Sequence, residues 1–385
     1  MTTTIKNEQK KLNVPNSTDK GNAIRNVPHL RFPEFSGEWE ECKLSDLCTF
    51  FSGGTPSSSN KDFYGGDIAF IRSGELHADS TELFITQAGF ESSSAKMVEV
   101  GDLLLAMYGA TSGDIAISKI EGAINQAILC IKTKYNKKFI ESVWNKHVSK
   151  ILRKYLQGGQ GNLSADIVKG ISFSFPTLAE QERIANFMSL LDERISTQTK
   201  IIDKLQTLIK GIAQNIARNN RPNIRISECL ECSSSTLQES DVCENGTYPV
   251  YGANGIVGYL DNYNTEGEAI YIIKDGSGVG SVSYVTGKCS ATGTLNTLQT
   301  KKGYSLQYLY YMLKVFSFES YKTGMAIPHI YFKDYGKAKI FCPSYTEQLQ
   351  YARLLSAIDN KLSTEQRLLT SLILQKQYLL RQMFI

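Results

Sequence analysis

Two stretches of the chain place apolar residues at alternating spacings of four and three. The first is Ile184, Met188, Leu191, Ile195, Gln198, Ile202, Leu205, Ile209, Ile212 and Ile216. The second is Tyr351, Leu355, Ile358, Leu362, Glu365, Leu369, Leu372, Lys376, Leu379 and Met383. A 4-3 pattern over more than four heptads predicts a long helix with one apolar seam. Pro176 and Pro343 stand just ahead of the two runs, where proline is tolerated. A helix over about 179–216 would be roughly 57 Å long. The seam must be covered, either by the globular part beside each helix or by the other helix in an antiparallel pair. The likeness of the two runs favours the pair. Gln198 and Glu365 interrupt the seams at equivalent places. Inside the seam they would fix register at some cost in stability; at its edge they would simply be hydrated.

Upstream of each helix the pattern changes. Residues 39–133 carry short apolar runs broken by glycine: IAFI (68–71), LLLAMY (103–108), IAIS (115–118) and AILCI (127–131). These predict strands and turns, with SGGTPSSSN (52–60) as a loop. YPVYGANGIVGYL (248–260), AIYIIK (269–274) and SVSYV (281–285) read alike. Shorter helices are predicted at about 139–156 and 305–316. The fold class is therefore α+β: two similar globules of mixed sheet and short helices, each followed by a long helix.

The halves are copies. FPTLAEQERIANFMSLLDERIST (175–197) aligns without gaps on CPSYTEQLQYARLLSAIDNKLST (342–364), an offset of 167. Pro176 matches Pro343, Glu180-Gln181 matches Glu347-Gln348, Ala185 matches Ala352 and Asp192 matches Asp359. The register extends upstream over 139–157 and 306–324. Farther back, 101–118 resembles 267–284 with one residue of slippage, and KLSDLC (43–48) resembles RISECL (225–230) with a larger shift. Like tails and diverged middles suggest one job done twice by the helices and two different jobs done by the globules. The implied organisation is a disordered arm (1–26), a globule (27–175), a helix (176–221), a second globule (222–342) and a second helix (343–385), related by a pseudo-twofold repeat.

Composition narrows the function. A net charge of +4 permits a nucleic-acid partner without demanding one. No apolar stretch approaches the roughly 20 residues that span a bilayer. The start, MTTTIKNEQKKLNVPNSTDKGN, has no apolar core, so a cytoplasmic location is expected. Of eight cysteines, only Cys229 and Cys232 have metal spacing, and no second tight pair completes a zinc site. His29, His77, His147 and His329 stand in no ligand or triad pattern. GSGVG (276–280) precedes another strand pattern rather than a helix, so it reads as a turn and not a dinucleotide loop. Phosphate-loop, nucleophile-elbow and amino-methyltransferase signatures are missing. The chain reads as a binding module with no catalytic residue, metal or cofactor of its own.

VPHLRFPEFSGEWEECKLSDLC (27–48), then SGGTPSS (52–58), then Pro-x-x-x-Glu-Gln before a long heptad helix, twice, resembles the specificity subunit of type I restriction–modification enzymes. YPVYGANGIVGYL (248–260) also looks like a segment of their target-recognition domains. The resemblance covers 27–385. It implies that each globule reads one part of a bipartite, asymmetric double-stranded DNA target. The helices would set the gap and dock two modification subunits, and two restriction subunits would join them. S-adenosylmethionine, ATP and magnesium would belong to those partners.

Base readout needs polar side chains on groove-facing loops. In the first globule this favours Ser52, Thr55, Ser57, Asn60, Lys61, Arg72, Ser73, Tyr108, Asn125 and Gln126. In the second it favours Tyr251, Asn254, Lys274, Ser277, Thr294 and Asn296, with Lys274 and Tyr108 ending matching strands. QGGQGNLS (157–164) and GMAIPHIY (324–331) read as connectors near the DNA backbone. The subunit interface would use Ile184, Leu191, Ile195, Ile202, Leu205, Ile209, Ile212, Leu355, Ile358, Leu362, Leu369, Leu372 and Leu379. Two other readings stand beside this one. One is a coiled-coil adaptor whose globules bind peptides or other ligands; the other is an enzyme with an unrecognised site. A positive face on the loops would favour DNA, a neutral aromatic cleft the adaptor, and clustered buried ionisable groups the enzyme.

Overall fold

The computed structural model describes residues 26–155, 162–324 and 327–385. It forms two compact units: the chain up to Arg194 together with Leu372–Ile385, and Ile195–Ser371. Among the described residues no helix is long and apolar enough to cross a membrane.

Unit 1 begins with β1 (Glu40–Lys43), α1 (Leu44–Leu47) and β2 (Cys48–Ser52). Then come β3 (Tyr64–Ile71), β4 (Phe84–Ile85), α2 (Gln87–Glu91), β5 (Lys96–Val98), β6 (Leu103–Ala106), β7 (Ile115–Ile117), β8 (Gly122–Ile124) and β9 (Ile128–Thr133). Next are α3 (Lys137–Tyr155), α4 (Ala165–Lys169) and β10 (Ser172–Phe175), and α5 (Leu178–Arg218) continues into unit 2. The central sheet has the order β2-β9-β6-β7 and a second sheet the order β4-β3-β8-β5, while β1 pairs with β10. Alternation along a strand explains why LLLA in β6 is buried throughout. Leu103, Leu105, Leu129 and Ile131 face Phe139 and Trp144 of α3. Leu104, Ala106, Ile128 and Cys130 face Ile71, Val98 and Ile124 of the second sheet.

Unit 2 repeats the plan. It holds β11 (Ile224–Arg225), α6 (Ile226–Cys229), β12 (Leu230–Ser234), β13 (Tyr248–Gly252) and β14 (Gly255–Leu260). These lead to β15 (Glu268–Ile273), β16 (Val282–Thr286), β17 (Ser290–Ala291), β18 (Leu295–Thr300) and α7 (Leu306–Val315). The unit ends with α8 (Phe332–Tyr335), β19 (Lys339–Ile340) and most of α9 (Tyr345–Met383). Its sheets are β12-β18-β15-β16 and β14-β13-β17, and β11 pairs with β19.

The ladders fix the correspondence between the copies. Leu103 pairs with Ile131 and Ile117, and Ile270 pairs with Leu298 and Tyr284, each 167 residues on. The one-residue slip suggested by the sequences of 101–118 and 267–284 is therefore absent. Cys42 opposite Phe173 corresponds to Ile224 opposite Ile340. The offset is 182 before β2 and 167 after β6, the difference being a 15-residue insertion in unit 1 between those strands, where α2 and β5 lie.

The repeated Glu-Gln has a structural reason. Gln181 Nε2 donates to the Pro176 carbonyl at 2.9 Å, and its Oε1 accepts from the Asn136 N–H at 3.4 Å. Gln348 does the same with Pro343 and with the Ser305 N–H, both at 2.9 Å. Each glutamine ties the head of a long helix to the head of the globule's helix. The neighbouring acids differ: Glu180 takes a forked pair of hydrogen bonds from Arg31, at 2.7 Å each, while Glu347 accepts from Ser344 at its own helix start.

In each unit the seams close on the other long helix and on the globule. Ile184 and Met188 share a core with Leu379, Met383 and α3. Ile202 and Ile209 share one with Leu355, Leu362 and α7. Ile184, Ile202, Ile209, Leu355, Leu362, Leu372 and Leu379 are buried, and Leu191, Ile195, Leu205, Ile212, Ile358 and Leu369 are half-buried. In unit 2 the helices run antiparallel, and Gln198 meets Glu365, its equivalent 167 residues on. Both are buried, so they are seam residues and not hydrated edge positions. Gln198 Nε2 also reaches the Glu365 carbonyl at 3.1 Å. Lys361 and then Gln198 hold the Glu365 carboxyl below its usual range. Replacing both Gln198 and Glu365 with leucine is expected to leave urea stability unchanged or higher. Glu365→Leu alone should lower the urea midpoint, because it leaves the Gln198 amide only the backbone carbonyl at position 365. Equal losses from the single and double variants would show that the pair is not coupled.

Candidate nucleic-acid interface

In the central sheet of unit 1, Ser52 lies opposite Leu129, Ala106 opposite Ile128, and Leu105 opposite Ile115. The end of β2, the end of β6 and the starts of β7 and β9 thus gather at one end of the sheet. In unit 2, Ser234 opposite Asn296, Ile273 opposite Leu295 and Ile272 opposite Val282 define the same end. Most loop residues singled out in the sequence fall here. At the other end of the unit 1 sheet, Lys132 and Lys137 both close on Asp102.

In unit 1 the loop after β2 is pressed onto β8. A Cβ on Gly53 would stand 1.8 Å from the Ile124 carbonyl oxygen, so only glycine fits. Beyond it, Thr55 Oγ1 donates to Gln126 Oε1 at 2.5 Å, which joins two candidates from separate loops. Asn125 Oδ1 accepts from the Ala127 N–H at 3.1 Å and shapes its own turn. The Ser57 and Ser59 hydroxyls are 2.7 Å apart, and Asn60 accepts from the Asp62 N–H beside exposed Lys61. Ile71 pairs with Ile124, so Arg72 and Ser73 follow at the same end. Arg72 is not free there: its guanidinium forks onto Glu75 at 2.7 and 3.2 Å, and holds that carboxyl below its usual range. His77 Nε2 meets Asp114 Oδ1 at 2.9 Å, and Asp114 raises its pKa.

In unit 2, Lys274 donates its N–H to the Thr294 carbonyl and accepts from the Ile330 N–H, both at 2.9 Å. Met107 makes the same two bonds with Ala127 and Leu163. Lys274 therefore corresponds to buried Met107, and Tyr108 corresponds to Asp275, which meets His329 at 2.7 Å. The expectation that Lys274 and Tyr108 match is off by one, and adjacent strand residues face opposite ways. Ser277 is exposed in the turn between Gly276 and Gly280, whose φ values are 94° and 91°. Thr292 donates its N–H to the Tyr251 carbonyl, which brings exposed Asn254 near Thr294. The Tyr251 ring rests on Tyr271. Asn296 is withdrawn from the candidate surface. It is 3% exposed, accepts from Ser234 Oγ at 3.1 Å and donates to the Tyr335 hydroxyl at 3.0 Å. Of the connectors, 157–161 and 325–326 lie outside the described residues. Leu163 and Ile330 sit at this sheet end in their own units.

Sequence reasoning passed over a charge run. Residues 134–155 hold seven Lys and Arg against one Glu. Lys137 and Lys138 are ion-paired, but Lys150, Arg153 and Lys154 are exposed and make no ion pair among the described residues. Among those residues no three His, Cys, Asp or Glu side chains are arranged to hold a metal.

The family model for the type I restriction modification DNA specificity domain matches residues 36–207 and again 223–373. The specificity subunit of the EcoprrI type I restriction enzyme of Escherichia coli is 22% identical over 363 residues, which cover 84% of this chain and 88% of that one. The MjaIX specificity subunit of Methanocaldococcus jannaschii is 26% identical over 189 residues, or 46% of this chain and 43% of that one. That second match thus spans less than half the length of its relative. The crystal structure of a type I restriction-modification S subunit from M. genitalium superposes with a TM-score of 0.67 at 18% identity, covering 93% of this chain and 99% of that one. Two matched domains, each a globule running into a long helix, account for well over half of the sequence, and the chain belongs to the specificity-subunit family of type I restriction–modification enzymes.

Proposed function

We propose that this chain is the non-catalytic DNA-reading subunit of a cytoplasmic type I restriction–modification complex. Each unit reads one part of a split, asymmetric target. The observation that carries this is the pairing of conserved with diverged parts. The glutamine ties and helix seams recur in both copies, while the loops at the equivalent sheet end differ in length and chemistry. The candidate contacts are Ser52, Thr55, Ser57, Asn60, Lys61, Tyr108 and Gln126 in unit 1, and Asn254, Lys274, Ser277 and Thr294 in unit 2.

The long helices dock the modification subunits. Large apolar residues stay exposed at equivalent positions on both: Leu178 and Tyr345, Phe187 and Leu354, Ile201 and Leu368. Paired exposed positions suit two copies of one partner, because apolar surface of this kind marks interfaces. S-adenosylmethionine, ATP and magnesium would act in the modification and restriction subunits. The adaptor reading lacks a comparable observation.

Co-expression with a modification subunit and mapping of methylated adenines tests the proposal. One split motif with a fixed gap is expected. Exchanging residues 49–133 for those of another family member should change one part of the motif and leave the other. Stable association with no shared methylated motif would overturn the proposal in favour of the adaptor.

A further inference from the structure

We infer that the last two turns of α3 form a contact for the phosphate backbone of DNA, present in unit 1 and lacking in unit 2. This inference rests on the DNA-reading function proposed above. The last two turns of α3 carry Lys150, Arg153 and Lys154, all exposed and without an ion pair among the described residues. Elsewhere in the unit, basic side chains are commonly neutralised, as in Arg31–Glu180, Arg72–Glu75, Lys119–Asp79 and Lys132–Asp102. A run of unpaired cations on one helix face is an electrostatic footprint for a polyanion.

Position points the same way. Trp144 Nε1 donates to the Gly113 carbonyl at 2.8 Å, and Val148 and Leu152 fill the space a Cβ on Gly113 would need. The cationic turns are therefore packed on the β6–β7 hairpin, which carries Tyr108 at the candidate end of the sheet. Beside them lies a groove of about 310 Å³ lined by His147, Lys150, Lys154 and Tyr155.

Helix-dipole compensation explains only part of the cluster. It favours cations in the final turn, where Arg153 and Lys154 stand, but not Lys150 a turn earlier. α7 has ten residues, Leu306–Val315, whereas α3 has nineteen, Lys137–Tyr155. Beyond Val315 unit 2 has no continuation of α7 on which counterparts of Lys150, Arg153 and Lys154 could stand. There the chain forms an aromatic cluster of Phe316, Phe318 and Tyr321. The extra helical turns and the cations occur together. A phosphate contact of this kind adds affinity without reading sequence.

The test is Lys150→Gln, Arg153→Gln and Lys154→Gln combined, in the complex with its modification subunit. Binding would be measured on cognate and unrelated duplexes across a salt series. Affinity should fall on the order of a hundredfold near 0.1 M salt on both duplexes, and the slope of log K against log salt should shrink by about 2–3. The methylated motif should stay the same. Unchanged affinity and slope with normal motif methylation would overturn the inference and leave the DNA-reading function standing. Lost association with the modification subunit would also overturn it, by showing that the face binds protein. Failure of the wild-type complex to bind any duplex would remove both.

Discussion

Trp144→Ala is expected to destabilise unit 1 by about 3–5 kcal/mol and to blur the half of the DNA target that this unit reads. The indole is fully buried against Phe173, and its N–H is the donor for the Gly113 carbonyl at 2.8 Å. Gly113 has φ of +87° and no room for a side chain beneath Val148 and Leu152. The hairpin that presents Tyr108 thus rests on α3 through Trp144, Val148 and Leu152, with one hydrogen bond from the indole. Trp144→Phe keeps much of the ring but strands the carbonyl, which should cost about 1–3 kcal/mol. Urea denaturation gives the first quantity. Methylation mapping of the complex gives the second: tolerance of mismatches should rise in one part of the motif only. An unchanged midpoint for Trp144→Ala would mean that the hairpin does not depend on α3.

The long helices were legible because a 3.5-residue period survives in any context and its two copies confirm each other. The sheets were legible as strands but not as pairings. β3 lies parallel to β8, some fifty residues on, and nothing local announces that partner. The misplaced register at β6 and β15 has a plain cause. Both strands run into glycine-rich turns, GATSGD and DGSGVG, which align almost equally well one residue apart. Only the hydrogen-bond ladder separates the two registers.

The loops of the candidate interface were visible by composition, but not the burial of residues beside them. β18 reads LNTLQT, whose polar residues suggest an exposed strand. Both faces of its sheet are covered instead, so Asn296 is inside and depends on Tyr335, 39 residues away. Arg72 looked available because its partner Glu75 lies in a short turn that no periodicity marks. The cations of α3 were plain in the sequence. What was missing was the knowledge that Lys137 and Lys138 are ion-paired, while Lys150, Arg153 and Lys154 make no ion pair among the described residues.

Asp192 and Asp359 hold the same place in the two copies and should answer differently to the same substitution. Asp192 receives Lys138 at 2.7 Å and Lys376 at 2.5 Å. Burial pushes its carboxyl up, but the two ammonium groups outweigh that and hold it below its usual range. Asp359 makes no ion pair among the described residues and accepts only from the Tyr311 hydroxyl, at 3.3 Å. The lysines have no counterpart in unit 2: Gln307 stands two residues past Ser305 as Lys138 stands two past Asn136, and Ile209 takes the place of Lys376. Asp192→Asn should therefore cost about 2 kcal/mol, less than a fully buried pair, because Asp192 and Lys376 keep 27% and 29% of their exposure. Asp359→Asn should stay within about 0.5 kcal/mol. A carboxyl whose folded pKa is depressed contributes its stability above its unfolded pKa of about 3.9 and loses it as pH falls through the folded value. Urea midpoints measured from about pH 3 to 7 should show the Asp192→Asn penalty at neutral pH and its disappearance in acid. Parallel penalties at both positions would mean that the aspartates act through helix packing, and that loss of the lysines in one copy has no electrostatic consequence.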